Sequence, residues 1–221
     1  MITPVAEDYL QSIHFMIRDG VTVIAARLAE RLQVTPPTVT ATLQRMERDG
    51  LIEHGPHREI RFTELGQSMA EDLVRRHALA ERLLTDFLKM PWHEAHEESH
   101  GFEHAITPKV EARLLSALGN PTTCPHGNPI PRLGRLSPDE FAMDTVQEGE
   151  TIVLQRITEE AEEDRELMRY LQTHGVEPGA TLRVSAVERF NQTLVIESER
   201  GQVVLGLSAA AKLRAVRPKQ A

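Results

Sequence analysis

Two Asp-Gly pairs, Asp19-Gly20 and Asp49-Gly50, and a Thr35-Pro36-Pro37 run cut the start of this chain into pieces that only a small helical domain can use. Residues 4–19 place Leu10, Ile13 and Ile17 on one helical face, and the first Asp-Gly pair ends that helix. The stretch VIAARLAERLQV (23–34) forms a second helix with Ala25, Leu28 and Leu32 inward. Thr35 is the N-cap of a third, with Pro36 at the first helical position, where a missing N–H costs nothing. Val39, Leu43 and Met46 make its apolar face, and Asp49-Gly50 stops it. Two short strands follow, Leu51–His54 and Glu59–Thr63, joined by GPHR as a hairpin. Helix, short connection, helix and hairpin is the order of a winged helix-turn-helix; a generic small α+β domain is the alternative.

Beyond the hairpin, residues 63–88 read as one long helix with Leu73, Leu79, Leu83 and Leu84 apolar, broken by Pro91. HEAHEESHGFEHAI and KVEARLLSALG (109–119) are two more helices. Residues 120–149 are rich in Pro and Gly and read as linker. From Thr151 strands dominate: TIVLQRI, ATLRVSAVE, TLVIES and VVLGL, interrupted by one helix, EEDRELMRYLQTHG. Short strands with turns at EPGA, FNQT and ERGQ suggest a small barrel.

Hydrophobic residues make up 40% of the 221 and aromatics only 4%, so the cores are aliphatic. A net charge of −8 argues against general nucleic-acid coating but says nothing against a local basic surface. A single cysteine, Cys124, allows no internal disulfide and points to a reducing compartment. MITPVAEDYL lacks the basic and apolar regions of a signal peptide, and no run approaches the roughly 20 apolar residues that cross a bilayer. The expectation is a soluble cytoplasmic protein.

The stretch HEESHGFEHA concentrates histidine and glutamate. At about 100° per residue, His96, His100, Glu103 and His104 share one helical face, while Glu98 points away. Such a stripe facing into a helical domain is costly unless something satisfies it. A divalent cation does, because imidazole and carboxylate are its usual ligands. His77 and Glu81 lie four apart on the long helix and are adjacent on its surface. If the two helices pack antiparallel, the sets face each other; Asp8 on the first helix is a further donor. The alternative is a solvated charged face with scattered histidines. Cys124 and His126, a C-x-H in a Pro/Gly loop, lack two ligands of a zinc site and read as structural or neutral.

These residues resemble the diphtheria toxin repressor family, the iron- or manganese-activated dimeric repressors, over nearly the full length. AERL…PTVTATLQRMERDGL is similar to the family's recognition unit and RRHALAERLLTDFL to its dimerisation helix. HEESHGFEHAI sits where its metal-binding helix sits, and CPHGNPIP resembles its loop. The resemblance implies an α+β multidomain chain. A winged helix-turn-helix (1–72) precedes a helical metal-binding and dimerisation domain (73–140). A linker (141–149) then leads to an SH3-like small β-barrel (150–221). It implies a primary metal site of Asp8, His100, Glu103 and His104. An ancillary site of His77, Glu81 and His96 is sometimes completed from the C-terminal domain, where Glu163, Asp164 and Glu166 are nearest. Iron repressors of the family often have Met and Cys at the positions of Asp8 and His100, and manganese-type members Asp and Glu. Oxygen in place of sulfur favours the harder ion, so Mn²⁺ is expected, with Fe²⁺ the alternative. Zn²⁺ is expected to bind in vitro, since intrinsic affinity favours it over Mn²⁺.

The resemblance also implies a homodimer that binds double-stranded operator DNA and controls metal-uptake and homeostasis genes, with no membrane partner and no small organic substrate. Thr35, Pro37, Thr38, Thr40 and Ala41 would meet base edges; the family often has Gln where Ala41 stands. Arg27, Arg31, Arg45, Arg48 and Arg58 are candidate phosphate contacts. A cation joining Asp8 to His100, Glu103 and His104 would tie the DNA-binding domain to the dimerisation domain and reorient the recognition helices. Competing classes are a winged-helix regulator with a non-metal effector and a His/Glu metalloenzyme; the resemblance itself implies no enzyme.

Overall fold

The computed structural model describes residues 3–218, which separate into two compact units divided between Arg76 and His77. In the first, Thr3 caps α1 (Pro4–Arg18), its hydroxyl accepting from the Ala6 N–H at 3.3 Å. α2 (Ala25–Arg31) and α3 (Pro36–Arg48) follow, then β1 (Ile52–His54) and β2 (Ile60–Phe62), an antiparallel hairpin with Ile52 opposite Phe62. Gly20 and Gly50 have φ of 74° and 70°, the left-handed conformation that an Asp-Gly helix stop requires. Leu10, Ile13, Leu28, Val39, Leu43, Met46, Ile52 and Ile60 form one core from all of these elements. Together they make a winged helix-turn-helix.

The long helix α4 (Glu64–Arg82) contributes to both units, and Leu83–Phe87 widens into a π turn in place of the single helix expected to residue 88. α5 (Trp92–Glu103) and α6 (Pro108–Ala117, capped by the Thr107 hydroxyl) complete the helical part. The six-stranded antiparallel sheet then begins with β3 (Phe141–Ala142) and β4 (Thr151–Ile157). Short α7 (Glu159–Glu162) and α8 (Arg165–Thr173) precede β5 (Thr181–Glu188), β6 (Thr193–Ser198) and β7 (Gly201–Gly206). α9 (Leu207–Ala210) and β8 (Leu213–Val216) close the chain order, with strands arranged β3-β8-β4-β5-β6-β7. Alternate residues of these strands, among them Ile152, Leu154, Leu182, Val184, Leu194 and Ile196, fill a core against which Trp92 packs.

Two stretches read as linker are structured. Residues 141–149 open the barrel: Phe141 pairs with Ala215, and Met143 and Val146 are buried in its core. The loop before them is extended and one-sided, with Cys124, His126, Asn128 and Ile130 all buried. It lies directly on β4, where the Ile157 N–H donates to the His126 carbonyl at 2.9 Å. Gly127 makes this approach possible. Its φ is +86°, and a Cβ there would stand 2.1 Å from the Gln155 carbonyl oxygen. Gly127→Ala is therefore expected to destabilise the second unit by about 2–4 kcal/mol, from left-handed strain plus overpacking. Thermal unfolding of the metal-free protein measures this; an unchanged midpoint would contradict the packing.

Candidate metal centre

α4 carries His77 and Glu81 one turn apart, and α5 brings His96, Ser99, His100 and Glu103 to face them. Glu81 is 1% exposed, and its Oε1 lies 3.3 Å from His77 Nε2, 3.1 Å from His96 Nδ1 and 3.4 Å from His126 Nδ1. Glu162 closes the cluster from α7: its Oε2 is 3.1 Å from His96 Nδ1 and 3.0 Å from His126 Nδ1. Glu159, one turn earlier, places Oε2 3.9 Å from His96 Nδ1. Cys124 Sγ is 4.0 Å from His126 Nδ1. His77, Glu81 and His96 form one metal-capable group, Glu81, Cys124 and His126 a second, and His96, Glu159 and Glu162 a third.

The tautomers follow from the partners. The His126 Nε2 faces the Trp92 carbonyl at 3.0 Å, so Nε2 donates, and Nδ1 is the nitrogen that offers a lone pair once the ring is neutral. His77 uses Nδ1 on Glu103 Oε2 at 2.6 Å, which turns its Nε2 toward His96 Nδ1 at 3.3 Å and Glu81. Imidazole lone pairs and carboxylate oxygens thus converge on one small buried volume. They repel unless protons or a cation stand among them. Burial pushes the imidazoles of His77 and His126 down, but Glu81 acting with Glu103 or Glu162 outweighs it and holds both well above their usual range. His96, opposed by burial in the same way, is raised to about 9 by Glu162 and Glu81. Glu162, despite burial, is lowered to about 2 by His126. Burial pushes the Cys124 thiol up to about 12. The donor set fits a divalent cation: neutral imidazoles fixed by backbone or carboxylate partners, with ionised carboxylates beside them.

A second group shares His77. Its ring centroid is 4.9 Å from that of His100, and His77, His100 and Glu103 form a further metal-capable set. Burial, then the charges on His77 and His96, lower His100 to about 4. His104 sits exposed at the C-cap of α5, its Nε2 3.7 Å from Glu103 Oε1. Asp8 is exposed on α1 in the first unit.

The carboxylates expected from the C-terminal domain, Glu163, Asp164 and Glu166, belong to none of the metal-capable groups among the described residues. Asp164 is used as the N-cap of α8, accepting from the Leu167 N–H at 3.0 Å, while Glu163 and Glu166 are exposed. The chain turns at Asp164, so the inward carboxylates are those of the preceding short helix, Glu159 and Glu162, an i,i+3 pair on one face. Cys124 and His126, read as structural or neutral, are brought to Glu81 by the extended loop. The period-2 pattern Cys124, His126, Asn128, Ile130 was the available signal.

On the DNA-binding unit, Thr35, Pro37, Thr38, Thr40 and Ala41 are all exposed along the start of α3. The Thr35 and Thr38 hydroxyls bond each other at 2.9 Å, and the Thr40 hydroxyl donates to the Pro36 carbonyl at 3.0 Å. Arg27, Arg45, Arg48 and Arg58 are exposed, Arg58 at the hairpin turn. Arg31 is half-buried, its guanidinium 5.8 Å from the Phe15 ring centroid.

Three family descriptions match the chain in succession. "Iron dependent repressor, N-terminal DNA binding domain" covers residues 1–60 and "Iron dependent repressor, metal binding and dimerisation domain" residues 63–132. A FeoA domain covers residues 141–217. The iron-dependent repressor IdeR of Mycobacterium leprae is 39% identical over 201 residues, 86% of this chain and 87% of that protein. IdeR of Mycobacterium bovis is 40% identical over the same shares. A solved manganese-dependent transcriptional repressor in complex with manganese shares the fold at a TM-score of 0.85 and 30% identity, covering 96% of this chain and 100% of that one. With a DNA-binding domain followed by a metal-binding dimerisation domain, this chain belongs to the iron-dependent repressor family of metal-dependent transcriptional repressors, whose members are not enzymes.

Proposed function

We propose that this protein represses transcription as a cytoplasmic homodimer that grips operator DNA when Mn²⁺ is bound, and thereby controls metal uptake. One observation carries the reading: His77, His96 and His126 converge with Glu81 and Glu162 in a buried cluster that only protons or a cation reconcile. The oxygens of Glu81, Glu159 and Glu162 favour a hard ion. Mn²⁺ fits this set best. The imidazoles suit Fe²⁺ as well, and the IdeR relatives are named as iron-dependent, so Fe²⁺ is the second reading.

When bound, the ion supplies the positive charge that lets all these donors stay deprotonated together. The chain's own groups do the rest. Trp92 and Glu103 fix the tautomers of His126 and His77. Glu159 and Glu162 bring the C-terminal barrel to the same centre. His77 belongs to two of the four metal-capable groups, one with Glu81 and His96 and one with His100 and Glu103, so its Nδ1–H bond to Glu103 connects the ancillary set with the primary one. The family resemblance assigns Asp8 and His104 to that primary set beside His100 and Glu103. Asp8 is the donor whose replacement tests whether the ion also orders the DNA-binding domain. Exposed Phe87, Leu88, Phe102 and Val110, all within the matched dimerisation segment, support self-association. The exposed methyls and hydroxyls at the start of α3 offer modest base readout, with DNA shape contributing. No helix among the described residues is long and apolar enough to cross a membrane.

Duplexes selected from a random pool in Mn²⁺, then tested by gel shift with and without chelator, check the function. The wild type is expected to bind only with metal. Asp8→Ala and Glu81→Gln are expected to remain folded and lose at least tenfold of Mn²⁺-dependent DNA affinity. Chelator-insensitive binding would reject the metal-switched reading, and undiminished binding by Asp8→Ala would reject its role.

The protonated cluster sets a pH dependence. His96 is raised from 6.5 to about 9, so its stabilising contribution to the metal-free protein is complete below 6.5 and fades as pH rises through about 9. Metal binding must displace such protons. Mn²⁺ affinity is therefore expected to rise between pH 6.5 and 9 with net proton release. Calorimetry in buffers of different ionisation heat measures this, and identical heats in all buffers would contradict it.

A further inference from the structure

Glu162 has a second oxygen that faces away from the histidines, and its surroundings are as ordered as the cluster itself. The Asn128 amide donates from Nδ2 to Glu162 Oε1 at 2.7 Å and to the Ile157 carbonyl at 2.7 Å. Its Oδ1 accepts from Arg156 Nη1 at 3.2 Å. Arg156, 2% exposed on β4, is held on its other edges by Glu140: Nη2 to Oε1 at 2.6 Å, and Nε to both carboxylate oxygens at 3.2 Å. A buried guanidinium is tolerable only with such a countercharge.

The order of these bonds gives each residue a direction. An amide can be turned end for end without changing its shape, and its neighbours decide which end is which. Here Arg156 has only donors, so Oδ1 must face it. Nδ2 must then face Glu162 and the Ile157 carbonyl, both of which only accept. Turned over, the amide would set oxygen against oxygen twice and nitrogen against guanidinium once. Arg156 thus orients Asn128, and Asn128 engages Glu162 Oε1, which leaves Oε2 aimed at His96 and His126. A carboxylate engaged on one oxygen presents a single, fixed ligand atom, and such outer partners are typically worth 10–100-fold in metal affinity.

We infer that Asn128 and Arg156 are positioning residues that orient Glu162 as a metal ligand, with Glu140 anchoring the arginine. The inference rests on the reading of Glu162 as part of the ancillary metal site. It also explains why the Pro/Gly loop is buried here, since Asn128 and His126, two residues apart, approach the same carboxylate from its two oxygens.

The test is Mn²⁺ binding to the full-length protein, by equilibrium dialysis for stoichiometry and electron paramagnetic resonance for the bound ion. Thermal unfolding without metal is recorded alongside. Glu162→Gln is expected to weaken the ancillary class of Mn²⁺. Asn128→Ala should weaken that same class 10–100-fold while leaving the remaining class at its wild-type affinity. Arg156→Lys keeps the charge beside Glu140 but loses the fork that reaches Asn128; a several-fold loss in the same class is expected, with a broadened resonance. It also serves if Asn128→Ala does not fold, and wild-type ancillary affinity in a folded Arg156→Lys then overturns the inference. A folded Asn128→Ala with wild-type ancillary affinity, where Glu162→Gln has lost it, overturns the inference and leaves the site assignment standing. Wild-type ancillary binding by Glu162→Gln overturns the ligand assignment itself, and the inference with it.

Discussion

A carboxylate buried in a helical interior is tolerated only where it is compensated, and Glu81 is compensated by three imidazoles within 3.4 Å. That requirement organises the second unit. His77 comes from the same helix, His96 from the next, His126 from an extended loop, and Glu162 from a short helix inside the barrel sequence. Segments far apart in the chain are held by one charge and the groups that answer it. The compensation is also conditional. Protons satisfy the cluster when His77, His96 and His126 are charged, and a cation satisfies it when they are neutral. The energy of packing these segments is therefore linked to pH and to metal, as it is for any site whose ligands are brought together only by folding.

What was legible in the sequence divides along a physical line. Helix periodicity reports which side chains share a face, so His77 with Glu81, and Glu103 with His96 and His100, could be read from spacing alone. The Asp-Gly stops and the Thr35-Pro36 start located α1 and α3, because capping chemistry is local. Donors delivered by tertiary structure were hidden. Glu159 and Glu162 stand on a helix that ends at the turn before Asp164, and nothing local told them from Glu163 and Glu166 in the same acidic run. His126 looked like half of a site because the other half lies on α4 and α7. Residues 141–149 read as linker since a two-residue strand is too short to show a period; its pairing with β8 makes it part of the sheet. Spacing places His77 in one site, whereas its two nitrogens serve both groups, a distinction that spacing does not carry.

The position of the acidic helix explains why a barrel belongs in a metal-responsive chain at all. α7 follows β4 with only Thr158 between, and β4 supplies Ile152, Leu154 and Ile157 to the barrel core. The same strand holds Arg156, and its last residue both receives the Asn128 amide and donates to the His126 carbonyl. Trp92 makes the reciprocal link: its ring packs against the barrel core, and its carbonyl takes the His126 Nε2 proton. Docking the barrel and forming the ligand set are consequently one event, because neither β4 nor Trp92 can move without releasing a donor or its orienting partner. An ion bound only to the assembled set stabilises that assembly by RT ln(1 + [L]/Kd), about 2.7 kcal/mol at a free concentration 100 times Kd. With the ligand set proposed above, the barrel would be held in place as firmly as free metal is plentiful, and its attachment to the helical domain would be a quantity that metal concentration sets.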